Sequence, residues 1–274
     1  MSVEKEDDMG TSRCRSLREE FRLHKFGLSH EHPTLFIRPQ WFPPKFYIPW
    51  TIVWALFYLI NLGFEVYYDI EMGATYFTRV TNHAYLLQSL FVLTDCFVTI
   101  YVHARRQDIR DGETNGLTWY IRMQWVLFNI SNGYSILVSM IYYGFLEVEW
   151  HHGSVYIHLM NSVYTVLGLL FSAKPVQLLH VYQPMVPAIF YTCFSIIYHI
   201  FGGEMIYPIL DWGNKRNRTI LLAVVFICVA IPIIHLICYL LYSLRVFIQR
   251  KCASRNKFTP NQPDTKKAYD SSAL

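Results

Sequence analysis

Charge is almost missing from the middle of this sequence. From Thr219 to Leu244 there are twenty-six residues without one Asp, Glu, Lys or Arg. At a helical rise of about 1.5 Å per residue, such a run exceeds the roughly 30 Å hydrocarbon core of a bilayer. Uncharged runs also cover Phe46–Phe64, Met123–Leu146, Trp150–Ala173 and Pro175–Gly203, and Val80–Ala104 is broken only by Asp95. Runs of this length argue against a soluble nucleic-acid binder. They predict an all-α, polytopic membrane helical bundle with about six transmembrane helices, at 47–68, 80–104, 123–146, 154–173, 182–202 and 219–244.

Other absences narrow the reading further. No Walker, G-x-G-x-x-G, G-x-S-x-G or C-x-x-C pattern is present, so no phosphate cradle, nucleophile elbow or thiol pair is written in the chain. The six cysteines give no disulfide framework, because Cys96, Cys193, Cys228 and Cys238 fall in helices and Cys14 and Cys252 in the tails. Cys252, beside Arg250 and Lys251, is a palmitoylation candidate. The first forty-five residues are charge-dense and lack the apolar core of a secretory signal, so the first helix directs insertion. With 274 residues, 53% of them hydrophobic and 16% charged, one membrane domain accounts for the chain. The expected layout is a cytoplasmic tail over 1–45, the bundle over 46–248 and a flexible basic tail over 249–274 that is attracted to anionic lipid. Arg38–Pro44 reads as an extended interfacial stretch with Trp41 at headgroup depth.

Basic residues set the orientation, because basic loops resist translocation. With the amino terminus inside, twenty of the Lys and Arg residues fall on the cytoplasmic side, Lys174 and Arg245 among them. Four fall outside: Arg79, Lys215, Arg216 and Arg218. Both termini are therefore expected in the cytoplasm. Asn217-Arg218-Thr219 is a glycosylation pattern on the outer side, close to the membrane.

Polar groups inside spans are costly, so each needs a partner, a cavity or the interface. On this topology the outer third of the bundle collects Thr81, His83, His158, Asn161, His199, Glu65 and Glu204. On helix four, His158, Asn161, Ser162, Thr165, Gly168 and Ser172 form one polar, small face. On helix two, Thr81, Tyr85, Gln88, Asp95 and Thr99 form another, and the simplest packing sets the two faces together. Ser131, Ser135 and Ser139 give helix three a small-residue ladder suited to close contact. A histidine level with a hydroxyl fits general-base activation, with Thr81 as nucleophile and His158 as base; cross-helix hydrogen bonding is the structural alternative. Asn82, His83, Asn161 and His199 would line the polar cavity. Asp95 fits a proton or cation relay, or a buried acid bonded to Tyr or Ser. No HxxxH is present, so no metal site is expected.

Three windows carry a resemblance: Thr81-Asn82-His83-Ala84-Tyr85, His158-Leu159-Met160-Asn161-Ser162-Val163, and Ile206-Tyr207-Pro208-Ile209-Leu210-Asp211-Trp212. They are similar to the insect rolling stone proteins, over about Pro33 to Arg250. The resemblance implies a multi-pass plasma-membrane protein of myoblasts, required for cell fusion in muscle development, with membrane lipid and membrane or cytoplasmic proteins as partners, no nucleic acid and no cofactor. A fainter similarity links the same helices to the androgen-induced membrane hydrolases, which cleave fatty acid esters with an intramembrane Thr and His. Thr81 and His158 would take those roles, with Thr78 as an alternative register. A channel or transporter is a third reading, with Asp95 and the polar stripes lining a path.

Overall fold

The computed structural model describes residues 20–145 and 155–257. The expected segment 123–146 runs into the undescribed stretch at its end, and the outer loop at 147–153, Cys14 and the tail beyond 257 lie outside the described residues. Among the described residues the regular structure is helical, with one isolated bridge between Pro39 and Ser172. Helix α1 is Tyr47–Asp69, α2 Val80–Arg105, α3 Trp119–Phe145, α4 Asn161–Phe171 after the π turn Val155–Met160, and α5 Tyr182–Ile200. The last helix, α6, is built from Arg216–Val225, the π turn Phe226–Ala230 and Ile231–Lys257. Pro232 stands two residues past the end of that π turn. Its missing N–H and bulky ring cannot join the ordinary ladder, and a widened turn accommodates them. Asn217 lies in the first turn of α6.

Four helical stretches are long and apolar enough to cross a membrane: Pro44–Tyr68, Val80–Arg105, Leu178–Ile200 and Arg216–Cys252. The chain is therefore a helical membrane protein. Helix α3 is long enough but less apolar, and its place explains why. It is the hub, packed against α2, α4, α5 and the lower part of α6, so its polar groups face protein. Gly133 permits the approach of α5, since a Cβ there would stand 2.9 Å from Cβ of Pro184. The serine ladder lies at such a contact. Ser135 donates to Gln88 Oε1 at 2.7 Å, and Ser162 donates to the Ser135 carbonyl at 3.0 Å and meets Ser139 Oγ at 2.7 Å. On the opposite side of the bundle, α5 and α6 expose Phe190, Ile197, Leu221 and Leu240, the face expected against lipid tails.

This arrangement corrects the expected pairing of helices two and four. The two meet where α2 touches the π turn that carries His158, but most hydrogen bonds of their polar faces run to α3 and α1, because α3 brings polar partners of its own. Gln88 and Asp95 of α2 bond to Ser135 and Gln124 of α3, while Asn161 of α4 accepts the Tyr58 hydroxyl of α1 at 2.9 Å.

The amino-terminal segment also departs from the tail expected over 1–45. From Leu23 onward it folds onto one end of the bundle. Phe36 is fully buried, edge-on to Trp125 at 5.1 Å, and burying such a ring stabilises by about 1.5–3 kcal/mol. Backbone bonds Gln40 N–H to Phe171 O (2.7 Å) and Ala173 N–H to Arg38 O (3.0 Å) stitch the segment to the end of α4. His180, completely buried, meets Asn129 through Nδ1 and the Gly27 carbonyl through Nε2, both at 3.2 Å. Trp41 donates to the Leu170 carbonyl at 2.9 Å. The Gln40 side chain donates to Gln249, so the segments entering and leaving the bundle meet at the same end.

That end holds a buried charge network. Lys174 Nζ lies 2.8 Å from Asp95 Oδ1, and both side chains are almost wholly buried. Tyr47 donates to Asp95 Oδ2 at 2.9 Å, and Gln124 and Lys174 donate to Oδ1. Arg245 donates to the carbonyls of Leu169, Ser172 and Lys174, closing the last turn of α4. Lys174 and Arg245 are thus interior groups, not the free loop cations of the charge count. Losing one partner of a buried pair costs about 3–5 kcal/mol, because the other charge is stranded. Asp95→Asn or Lys174→Met alone is expected to lower the thermal unfolding midpoint strongly in detergent, and the double variant to recover part of the loss; additive losses would contradict the coupling.

The turn after α2 is held by a second carboxylate. Arg106 clasps Asp108 through Nε (2.9 Å) and a terminal nitrogen (2.7 Å), and Thr114 donates to Asp108 Oδ2 at 2.6 Å. The Arg106 hydrogen bonds, then that of Thr114, hold the Asp108 carboxyl well below the usual carboxylate range. Its contribution is therefore complete above about pH 4 and is lost only as pH falls through the depressed value. Amide exchange at Glu113 and Thr114, which bond to the Asp108 carbonyl, is expected to give constant protection from pH 7 to about 4. An opening at ordinary carboxylate pH would refute it.

Candidate functional site

At the other end of the bundle, the residues singled out by sequence are brought to one level but given separate tasks. Asn82, at the start of α2 and nearly buried, donates to the Tyr76 carbonyl at 2.8 Å. His83 Nε2 meets the Phe77 carbonyl at 2.7 Å, with its ring edge-on to Tyr191 at 5.5 Å. Together they hold down the turn Ile70–Thr78, which bends at Gly73 (φ 52°). Asn161 accepts from Tyr58 and donates to the Ile157 carbonyl at 2.8 Å, locking α1 to α4. His158 is buried with its ring flat against Tyr142, centroids 3.7 Å apart, and its backbone carbonyl accepts the Ser139 hydroxyl. His199 is exposed at the rim, beside Gly213.

Thr81 has two hydroxyl contacts, Asn82 Oδ1 and Tyr207 OH, both at 3.4 Å. No hydrogen bond joins it to His158 among the described residues. Thr78, the alternative register, donates to the Thr75 carbonyl at 2.8 Å. Among the described residues no three His, Cys, Asp or Glu side chains come together as metal ligands.

What Thr81 does border is a partly open pocket between α2, α3, α5 and α6. Val138 of α3, Ala188 of α5 and Ala223, Ile227 and Ile231 of α6 form much of its apolar wall. Tyr207, Ile209 and Leu210 close it from the loop before α6. That loop is pinned by Trp212, which donates to Ser195 Oγ at 3.2 Å, and by Thr219, which donates to the Asp211 carbonyl at 2.9 Å. Burial pushes the Tyr207 phenol above its ordinary pKa, so it remains a neutral donor. The Tyr134 hydroxyl in the wall is buried and has no hydrogen-bond partner among the described residues, a condition that costs about 1–3 kcal/mol.

Sequence reasoning missed Tyr134, Tyr142 and Tyr207 as site residues. Tyr207 was visible inside one of the three windows, and Tyr134, Val138, Ile141 and Tyr142 recur at helical spacing on α3. The windows themselves converge: Thr81 touches Tyr207, and Tyr142 joins the pocket wall to the His158 ring.

Each single hydrogen bond to the Ile70–Thr78 turn contributes about 0.5–1.5 kcal/mol, so its loss raises local opening up to about tenfold. Asn82→Ala and His83→Ala are each expected to accelerate tryptic cleavage after the exposed Arg79 in detergent by about that factor. Unchanged cleavage in both would contradict the anchoring roles.

A family model described as Protein rolling stone matches residues 7–259. The Drosophila melanogaster protein of that name is 27% identical over 236 residues, spanning 79% of this chain and 86% of its own length. No solved structure matches the chain. The match takes in the helical bundle, the pocket and all three windows, and the chain belongs to the rolling stone family.

Proposed function

We propose that this chain is a six-span plasma-membrane protein required for myoblast fusion, with both termini in the cytosol. Membership of the rolling stone family carries the reading. The fold supports it in two ways. The described loops at the pocket end are short, Ile70–Arg79 and Phe201–Lys215, so action through the membrane-embedded bundle or the tail end suits the chain better than a large ectodomain. Removing the buried Lys174 and Arg245 from the charge count leaves eighteen basic residues on the tail side against four at the other, which keeps the tails inside.

Depleting the chain from fusing myoblasts is expected to lower the fraction of nuclei in multinucleate cells, and re-expression to restore it; normal fusion after depletion would overturn the proposal. Epitopes at either terminus should react with antibody only after permeabilisation, and labelling of intact cells would overturn the sidedness. The fusion reading needs no proton transfer at His158. His158→Gln, which keeps a polar planar group against Tyr142 but no general base, is expected to rescue fusion fully, whereas failure with normal surface levels would favour Thr81–His158 chemistry.

A further inference from the structure

We propose that the pocket between α2, α3, α5 and α6 binds a neutral lipid bearing a free hydroxyl group. The inference stands apart from any role in fusion. Its first support is the lining. No Asp, Glu, Lys, Arg or His borders the pocket among the described residues, so neither a phosphate, a carboxylate nor an ammonium head finds a counter-charge. Burial of an unpaired ion in such a wall is prohibitive.

The second support is the state of the hydroxyls. Thr81 and Tyr207 meet at 3.4 Å, well beyond the roughly 2.7–2.8 Å usual between hydroxyls, so the Thr81 hydroxyl retains hydrogen-bonding capacity, and Tyr207, whose oxygen also takes the backbone N–H groups of Val80 and Thr81, keeps its O–H to donate. Tyr134 has a buried hydroxyl with no hydrogen-bond partner among the described residues. By contrast, Thr192 and Ser195 in the same wall are engaged, donating to the carbonyls of Ala188 (2.9 Å) and Thr192 (2.8 Å). A ligand hydroxyl both donates and accepts, which matches groups that themselves do both.

The third support is access. The segment Ile231–Lys257 packs on α3 and α4, whereas Arg216–Val225 reaches the bundle mainly through the π turn, which rests on α5. The pocket lies behind this π turn, and residues Ala223 to Ile231 border it over about 12 Å of helix. Phe190 and Leu221 on the outer faces of the same two helices are exposed where lipid is expected, so a chain or ring system enters from the bilayer between α5 and α6.

The test uses the full chain in phosphatidylcholine nanodiscs and a photoreactive alkyne analogue of oleyl alcohol. Labelled peptides are expected from Tyr134–Tyr142 and Ala188–Ser195. Unlabelled oleyl alcohol, 1-oleoylglycerol or cholesterol should displace the probe, and whichever of the last two does so more strongly identifies an acylglycerol or a sterol source. Oleate and oleylamine should compete at least tenfold more weakly. Ala223→Trp, which fills the pocket, should abolish labelling of these peptides, and Tyr207→Phe should weaken displacement several-fold at an unchanged unfolding midpoint. If Ala223→Trp fails to fold, Ala223→Leu and the wild-type competition series decide. Equal competition by oleate and oleylamine, or labelling spread over the outer faces of α5 and α6 and indifferent to filling the pocket, would overturn the proposal.

Discussion

One carboxylate organises the bundle. Asp95 of α2 takes hydrogen bonds from Tyr47 at the start of α1, Gln124 near the start of α3 and Lys174 just past α4. Four stretches of chain far apart in sequence are thereby fixed to one point in the buried interior. Placing two charges there is costly, and their attraction offsets that cost only because the remaining lone pairs are also satisfied. Arg245 adds the sixth helix by bonding to the carbonyls around Lys174, so the end of α4 is held from both sides. The network defines the register of the helices, which apolar packing against lipid leaves free to slide.

The two ends of the bundle consequently differ in character. At the tail end, Asp95 is paired with Lys174, Arg245 caps the last turn of α4, and Phe36 and Trp125 pack on each other beside them. At the opposite end, Asn82, His83 and Asn161 tie loops and helices together, but Thr81, Tyr207 and Tyr134 keep hydroxyls that are weakly engaged or unpaired. Rigidity at one end and spare hydrogen-bonding capacity at the other is the distribution expected of a protein whose chemistry or recognition takes place beside the pocket.

The sequence made the helices legible because hydrocarbon tolerates so little charge: the uncharged runs and the helices largely overlap, although α6 continues to Lys257, thirteen residues past the last uncharged run. The polar faces of α2 and α4 were legible as interior, yet their partners were not, since periodicity shows which side of a helix is buried and not which neighbour covers it. Helix α3 hid its central position behind Gln124, Asn129, Asn132 and Ser135, which lower its hydropathy although all four are buried. Lys174 read as a loop cation because a lone lysine between two apolar runs looks the same whether it meets water or Asp95. The docking of Leu23–Phe46 was illegible for a related reason: part of it runs through backbone groups of Arg38, Gln40 and Phe171, which leave no trace in residue type, and the side chains of Gln40, Trp41 and Phe36 do not name their partners. At the pocket, Thr81 and His158 were chosen for their chemistry, while tyrosines with less distinctive patterning make most of the hydroxyl lining.

The docked amino-terminal segment has a consequence for biogenesis. It leaves the ribosome first, but its seats are made late: the Phe171 carbonyl at the end of α4, the His180 ring before α5 and the Gln249 side chain near the end of α6. The segment must therefore wait, uncovered, until those later stretches have been synthesised and inserted. A truncated or misthreaded product keeps Phe36 and its neighbours on display, apolar surface of the kind that makes unfinished chains prone to aggregation.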